Sequence, residues 1–148
     1  MTDPQTEEVE ASLREFLQAF ENCDLETMDK AFASDCLSFP QIIASPSVQI
    51  GRDLSPFKRC QGMPEDMRRV ALELPKNNAG PPFQSLVPKD LSIQMFGKAA
   101  VATFHLEREG SLGRRTIVFA RRDEQWRIVH LHASRVESDW RRLAPDSS

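Results

Sequence analysis

No run of about 18 apolar residues occurs in the 148-residue chain, so no helix of it is expected to cross a membrane. The first 35 residues lack the basic start and apolar stretch of a secretory signal, and a cytoplasmic location is the expectation that follows. Cysteine is scarce. Cys23, Cys36 and Cys60 are odd in number and show no Cys-x-x-Cys spacing. That argues against a disulfide framework or a cysteine-based zinc site and leaves reduced thiols. Bases are in deficit, 19 Lys and Arg against 22 Asp and Glu. General nucleic-acid binding, which calls for a basic domain, is therefore not expected.

What is present is ordinary for one globular domain: 40% apolar and 28% charged residues. The whole chain, 1–148, is read as one unit with a core over about 7–136, a proline-rich excursion at 44–88 and a tail at 137–148. Charge is unevenly spread. Residues 1–35 hold ten acids and two bases, leaving twelve acids and seventeen bases for the remainder. Val9, Leu13, Phe16, Leu17 and Phe20 recur at spacings of three and four, the stripe of an amphipathic helix. Asp3 and Pro4 suit its start, and Asp24 can cap a second helix from Leu25 to about Ala33. The acidic excess then falls on the outer faces of two helices.

Leu37 to Ile43 reads as a strand, with Pro40 marking an edge or bulge. Eight of the ten prolines lie between Pro40 and Pro88. Ser55-Pro56 can start a short helix, and Pro64 another whose Met67, Val70, Ala71 and Leu74 share a face before Pro75 ends it. Lys76 to Pro88 reads as a long loop. Beyond it, Leu91–Phe96, Ala99–Glu109, Arg114–Arg122 and Trp126–Arg135 are four β-rich runs separated by hairpin-length turns. Helices first and a meander afterwards make an α+β fold.

A three-residue loop at Asp123–Gln125 sets Ile117 opposite Leu131. One face then carries Ile117, Phe119, Val129, Leu131 and Ala133, with Thr103, His105 and Glu107 joining across a five-residue turn. The other carries Phe104, Leu106, Val118, Ala120, Trp126, Ile128, His130 and His132. A slip of one residue reverses any such sorting. Both faces are substantially apolar and two helices cover one, so the second is expected to pack against another copy as a homodimer.

The stretch Phe96-Gly97-Lys98-Ala99-Ala100-Val101-Ala102-Thr103-Phe104-His105-Leu106, and the ending Trp126-Arg127-Ile128-Val129-His130-Leu131-His132-Ala133-Ser134, resemble the nuclear transport factor 2-like superfamily. Within it they are similar to the SnoaL-like subgroup and to the association domain of calcium/calmodulin-dependent kinase. The resemblance implies a cone: a strongly curved antiparallel sheet closed on one side by the N-terminal helices. It implies a pocket lined by Phe16, Phe20, Phe39, Thr103, Ile117, Phe119, Leu131 and Ala133. His105, Ile117 and Ala133 fall where the kinase association domain places arginines, so a small apolar or weakly polar metabolite is expected rather than an anion held by an arginine cluster.

In that pocket His105 is the candidate acid–base group, oriented by Glu107 two residues along the strand. His130-x-His132 shares a face but has no third ligand, so no metal is expected. Both are placed at the dimer interface with Phe104, Leu106, Val118, Trp126 and Ile128. Ser55-x-x-Lys58 matches a serine–lysine nucleophile pattern without its companion motifs, and chance explains it. The chain thus reads as a small-molecule-binding protein, acting either as a cofactor-free isomerase, lyase or cyclase or as a non-catalytic sensing or oligomerisation module.

Overall fold

The computed structural model describes residues 3–39, 60–108 and 110–137. The expected serine–lysine pair and the helix at Ser55-Pro56 lie outside them. Helix α1 (Pro4–Glu21) begins where Asp3 accepts a hydrogen bond from the Gln5 amide at 3.0 Å, and Pro4 occupies its first turn. Its stripe turns inward, with Val9, Leu13, Phe16 and Leu17 buried. Helix α2 (Leu25–Ala31) is capped by Asp24, which accepts from the Thr27 amide and hydroxyl at 3.2 and 2.7 Å. These bonds to the charged form hold the Asp24 carboxyl below its ordinary range.

The chain passes from α2 directly into strand β1 (Phe32–Phe39), which starts earlier than the sequence pattern suggests. A two-residue strand β2 (Cys60–Gln61) follows, then helix α3 (Glu65–Asn77). Pro75 does not end α3: the helix runs two residues beyond it. A proline this near the C-terminus removes one bond of the last turns, and the Asn78 amide and side chain both donate to the Leu74 carbonyl, at 3.1 and 3.0 Å. The last four strands are β3 (Lys89–Phe96), β4 (Ala99–Arg108), β5 (Ser111–Arg122) and β6 (Gln125–Glu137).

Together the strands form one six-stranded sheet in the order β2-β1-β6-β5-β4-β3. The meander is antiparallel as expected, but β1 pairs with β6 in parallel, so the sheet is mixed. The turns are also shorter than expected. Arg122 pairs with Gln125, so Asp123 and Glu124 alone make the turn, both at positive φ (52° and 65°). That geometry matches the twist of a tight hairpin. Arg108 pairs with Ser111, which leaves two residues rather than five between β4 and β5.

These lengths decide the faces. The shorter β5–β6 turn shifts the register by one, and a bulge at Val129 shifts it back, so Ile117 still lies opposite Leu131. Trp126 and Ile128, before the bulge, therefore face inward with Leu131 and Ala133. Nothing compensates the shift between β4 and β5. Ala100, Ala102, Phe104 and Leu106 point into the core, and Thr103, His105 and Glu107 point away from it.

The core lies between the sheet's inner face and α1. Val9, Leu13, Met28, Phe119, Ile117, Ile128 and Leu131 are all at most 2% exposed. Phe16 packs edge-on against Phe32, with ring centroids 5.5 Å apart. Polar ties run between helix and sheet, between strands and between helices. The Trp126 indole donates to Glu8 at 3.1 Å, Arg122 pairs with Asp35, and Arg68 of α3 pairs with Asp29 at 3.2 Å. The two ion pairs are exposed and contribute little to stability.

Candidate functional site

Between the sheet and the helices lies a cavity of about 300 Å³, at the low end of the roughly 300–1,000 Å³ that small-molecule sites occupy. Helix α1 supplies Phe16, Leu17 and Phe20, three residues of its inward stripe. Helix α3 supplies Pro64, Asp66, Met67, Val70 and Leu74, so a second amphipathic stripe also faces the cavity. The segment carrying Gln84 and Leu86 closes one side. It is held to the end of α1 by Phe83 N–H to Glu21 O (2.8 Å), Gln84 Nε2 to Phe20 O (3.3 Å) and Leu86 N–H to Glu21 Oε2 (2.7 Å). The first of these bonds also pairs the Glu21 carbonyl, one of those the helix end leaves without an intrahelical partner.

The sheet lines the cavity with alternate residues of three strands: Phe104, Leu106 and Arg108 of β4, Ser111, Gly113, Arg115 and Ile117 of β5, and Leu131, Ala133 and Arg135 of β6. Because neighbouring strands are in register, the lining is graded along the strand direction. Ile117 and Leu131 make an apolar end; one inward step further, at about 6.6 Å, Arg115 stands between Phe104 and Ala133, and the next step brings Arg135.

Arg115 sets the electrostatics. Its Nη1 donates to the carbonyls of Arg114 and Ser134 at 3.1 and 3.2 Å, so the guanidinium lies back along the sheet. Gly113 makes this possible: a Cβ there would sit 3.2 Å from Arg115 Nη1 and 3.3 Å from the Leu106 carbonyl oxygen. Burial pushes the Arg115 group down to about 10, helped by the positive charges of Arg108 and Arg135 and opposed by Asp66. Asp66 moves the other way. Burial raises its carboxyl above the ordinary range, against its own backbone contacts, including Met67 N–H at 2.9 Å, and the charges of Arg69 and Arg115.

A SnoaL-like domain model matches residues 65–137. Solved structures similar over almost the whole length fall in one fold. A protein of unknown function of the DUF3225 family from Pectobacterium atrosepticum is 19% identical, with 92% of this chain and 94% of that one covered and a TM-score of 0.65. An NTF2-like protein of unknown function from Pseudomonas putida is 18% identical, with 90% and 88% covered and a TM-score of 0.64. The CaMKII hub of S. rosetta is 15% identical, with 92% and 100% covered and a TM-score of 0.64. Residues 65–137 thus match a SnoaL-like domain, and the chain has the nuclear transport factor 2-like fold. The comparison with curated proteins gives no match.

Within this NTF2-like fold, the residues singled out from sequence divide between three environments. Phe16, Phe20, Ile117, Leu131 and Ala133 line the cavity. Phe119, 1% exposed, is buried in the core beside it. Thr103, His105, Glu107 and Phe39 are on the outer side of the sheet, turned there by the two-residue β4–β5 turn and, for Phe39, by its pairing with His132. His105 meets Asp90 there, Nδ1 to Oδ2 at 3.1 Å, with the Asp90 carboxylate largely in solvent. Of the residues expected at the dimer interface, Phe104, Leu106, Trp126 and Ile128 are instead inside the core. Val118, His130 and His132 are on the outer face, where the Phe39 ring lies 6.2 and 5.7 Å from the two imidazoles.

Sequence reasoning overlooked Asp66, Arg108, Arg115 and Arg135, which carry the charge that the described residues bring to this lining. A signal existed. Stepping by two from Ile117 gives Arg115, and from Ala133 gives Arg135. Among the described residues, no group of three or more His, Cys, Asp or Glu side chains could hold a metal ion. Cys36, buried on β1 and pushed up to about 11 by burial and by Asp35, is poorly suited to act as a nucleophile.

Proposed function

We propose that this protein binds a small organic molecule in the cavity between α1, α3 and the sheet, and that Asp66 is the group that exchanges protons with it. The observation supporting this most directly is a largely apolar cavity lined, among the described residues, by a single carboxyl, whose protonated form burial favours. Such a group titrates closer to neutral pH than a solvated carboxylate and suits general acid–base work. Isomerisation, elimination or cyclisation without a cofactor is the chemistry this arrangement serves. A thermal-shift series of medium-chain alcohols and cyclic ketones tests the binding. At least one class is expected to raise the unfolding midpoint of the wild type, and no effect across the series, with a cavity-blocked variant behaving identically, would overturn the reading.

Asp66 also gives a pH prediction. Its folded-state pKa lies above the unfolded value, so its contribution to stability is fully present below the unfolded value and is lost as pH rises through the folded one. Asp66→Asn is therefore expected to raise the thermal midpoint near neutral pH, with the gain vanishing below about pH 4. A loss of stability at neutral pH would show that the ionised carboxylate is a net structural asset.

The second reading, an assembly role, rests on the sheet's outer face. Leu37 and Phe39 are 39% and 41% exposed there, and Val118 lies in the same apolar patch. We place a homodimer contact on this face. Phe39→Asp is expected to convert a dimer to a monomer in light scattering while the circular dichroism stays unchanged. A wild-type protein that is monomeric at high concentration would remove this reading.

A further inference from the structure

We propose that the cavity's ligand is an organic monocarboxylate, bound with its carboxylate on Arg115 and taken up together with a proton on Asp66. This rests on the small-molecule reading above and adds the ligand's charge and its coupling to pH.

The donor geometry of Arg115 carries the first half. A guanidinium has five N–H donors. The two backbone carbonyls that Arg115 reaches, at 3.1 and 3.2 Å, both take Nη1, and no other hydrogen bond or ion pair of this side chain occurs among the described residues. Among the described residues, the edge formed by Nε and Nη2 stays unused. That edge presents two parallel N–H groups, the arrangement that pairs with a single carboxylate. A half-buried cation without an anion is costly, and Asp66, though close enough to be felt electrostatically, makes no ion pair with it within 4 Å. An anionic ligand group therefore gains what none of the described residues supplies. The graded wall fixes the rest of the molecule: the head lies at Arg115, and the tail runs one inward step toward Ile117 and Leu131, which only an apolar body can fill.

The second half follows from what faces Asp66. Arg69 on its own helix and Arg115 on β5 are the charges that favour its ionised form. Arg108 of β4 and Arg135 of β6 line the same cavity, while α1 and the Gln84–Leu86 segment contribute only apolar or neutral side chains to it. A carboxylate seated on Arg115 cancels one of the two favouring charges. It also puts a second carboxylate into a space from which water is displaced. Two like charges sharing such a site do not both stay ionised, so Asp66 takes up a proton as the ligand binds. By linkage, affinity rises as pH falls.

Calorimetric titration of hexanoate, hexanamide and 1-hexanol, at several values between about pH 6 and about pH 8 where hexanoate stays ionised, separates the possibilities. Hexanoate is expected to bind roughly 10- to 100-fold more tightly than hexanamide, the worth of a hydrogen-bonded charge pair. It should tighten severalfold toward the acidic end, with heats that depend on buffer ionisation as proton uptake requires. Arg115→Gln should bring hexanoate and hexanamide to equal affinity. Arg115→Lys, which keeps the charge if the glutamine variant fails to fold, should retain only part of the preference. Asp66→Asn should keep the preference and lose the pH dependence. Equal binding of hexanoate and hexanamide by the wild type would overturn the anion assignment and leave the pocket reading intact. Preferred but pH-independent hexanoate binding would overturn the proton coupling. No binding of any of the three would overturn both this proposal and the reading it rests on.

Discussion

Phe119→Ala is expected to lower the unfolding free energy by about 3–5 kcal/mol, the usual range for truncating a fully buried phenylalanine. A domain of this size has roughly 5–15 kcal/mol to lose, so the variant should unfold at a markedly lower urea concentration or fail to accumulate. The size of the effect follows from position. Phe119 is 1% exposed on the middle strand of the meander, paired with Ala100 on one side and Ile128 on the other, both fully buried. Two small or slender neighbours leave the phenyl ring to fill the space beneath α1, and removing it leaves a void that a fixed sheet cannot collapse into. Val118, the next residue, points to the outer face and is only partly buried. Val118→Ala is the matched control, expected to change stability by less than about 1 kcal/mol. A Phe119→Ala loss below that of Val118→Ala would mean that the face assignment of β5 is reversed.

That assignment shows how far the sequence could be read. The α1 stripe, the α2 cap at Asp24 and the four β-rich runs were legible because each rests on a local pattern: spacing of three and four, a capping side chain, or β-branched residues bounded by glycine and aspartate. The sorting of strand faces was not, because it depends on turn lengths that composition does not state. Gly110 to Gly113 looks like one long loop. Gly110, at φ +77°, belongs to the turn, but Gly113 is a strand residue, placed there to leave room for the Arg115 guanidinium. Counting both glycines as turn shifted β4 by three residues, an odd number, and so sent His105 and Glu107 toward the cavity in place of Phe104 and Leu106. The bulge at Val129 had the opposite consequence. It restored Ile117 to Leu131, so the β6 half of the predicted lining, Leu131 and Ala133, lies where the pattern placed it.

The charged part of the site was hidden for a different reason. Arginines near strand ends usually reach solvent, and Arg114, Arg121, Arg122 and Arg127 fit that description here with bonds to surface partners or positions near the turn. Arg115 and Arg135 differ from Arg114, Arg122 and Arg127 in the face of the sheet they occupy, and Arg121, which shares the parity of Arg115, lies beside the turn. Asp66 was concealed by the helix around it: one acid in the first turn of an amphipathic helix ordinarily complements the helix dipole at the surface. Here α3 packs its first turn over the cavity, so the same residue is drawn out of water. The missing arginines at 105, 117 and 133 argued for a neutral ligand. Displacement of positive charge by one inward step, to 115 and 135, reverses that argument without altering the fold.

One substitution made at two alanines tests the cavity itself. Ala133→Phe is expected to abolish ligand binding, at least about 100-fold in affinity, with stability changed by no more than about 1–2 kcal/mol. Ala133 lines the cavity directly opposite Arg115 in the β5–β6 register, so a phenyl ring there occupies the space the ligand needs. Ala102→Phe adds the same atoms two strands away. Ala102 is fully buried, pairs with Ile117 and does not line the cavity. Its ring has no empty volume to enter and must push α1 or the neighbouring strands apart, which costs about 1–3 kcal/mol or more. Urea unfolding and calorimetric titration of the two variants together give a double contrast: binding lost with the fold kept at 133, and the fold weakened at 102. If both variants are equally destabilised, the space beside Arg115 is filled in solution, and a binding role for it fails. If Ala133→Phe binds as the wild type does, ligands sit elsewhere on the protein.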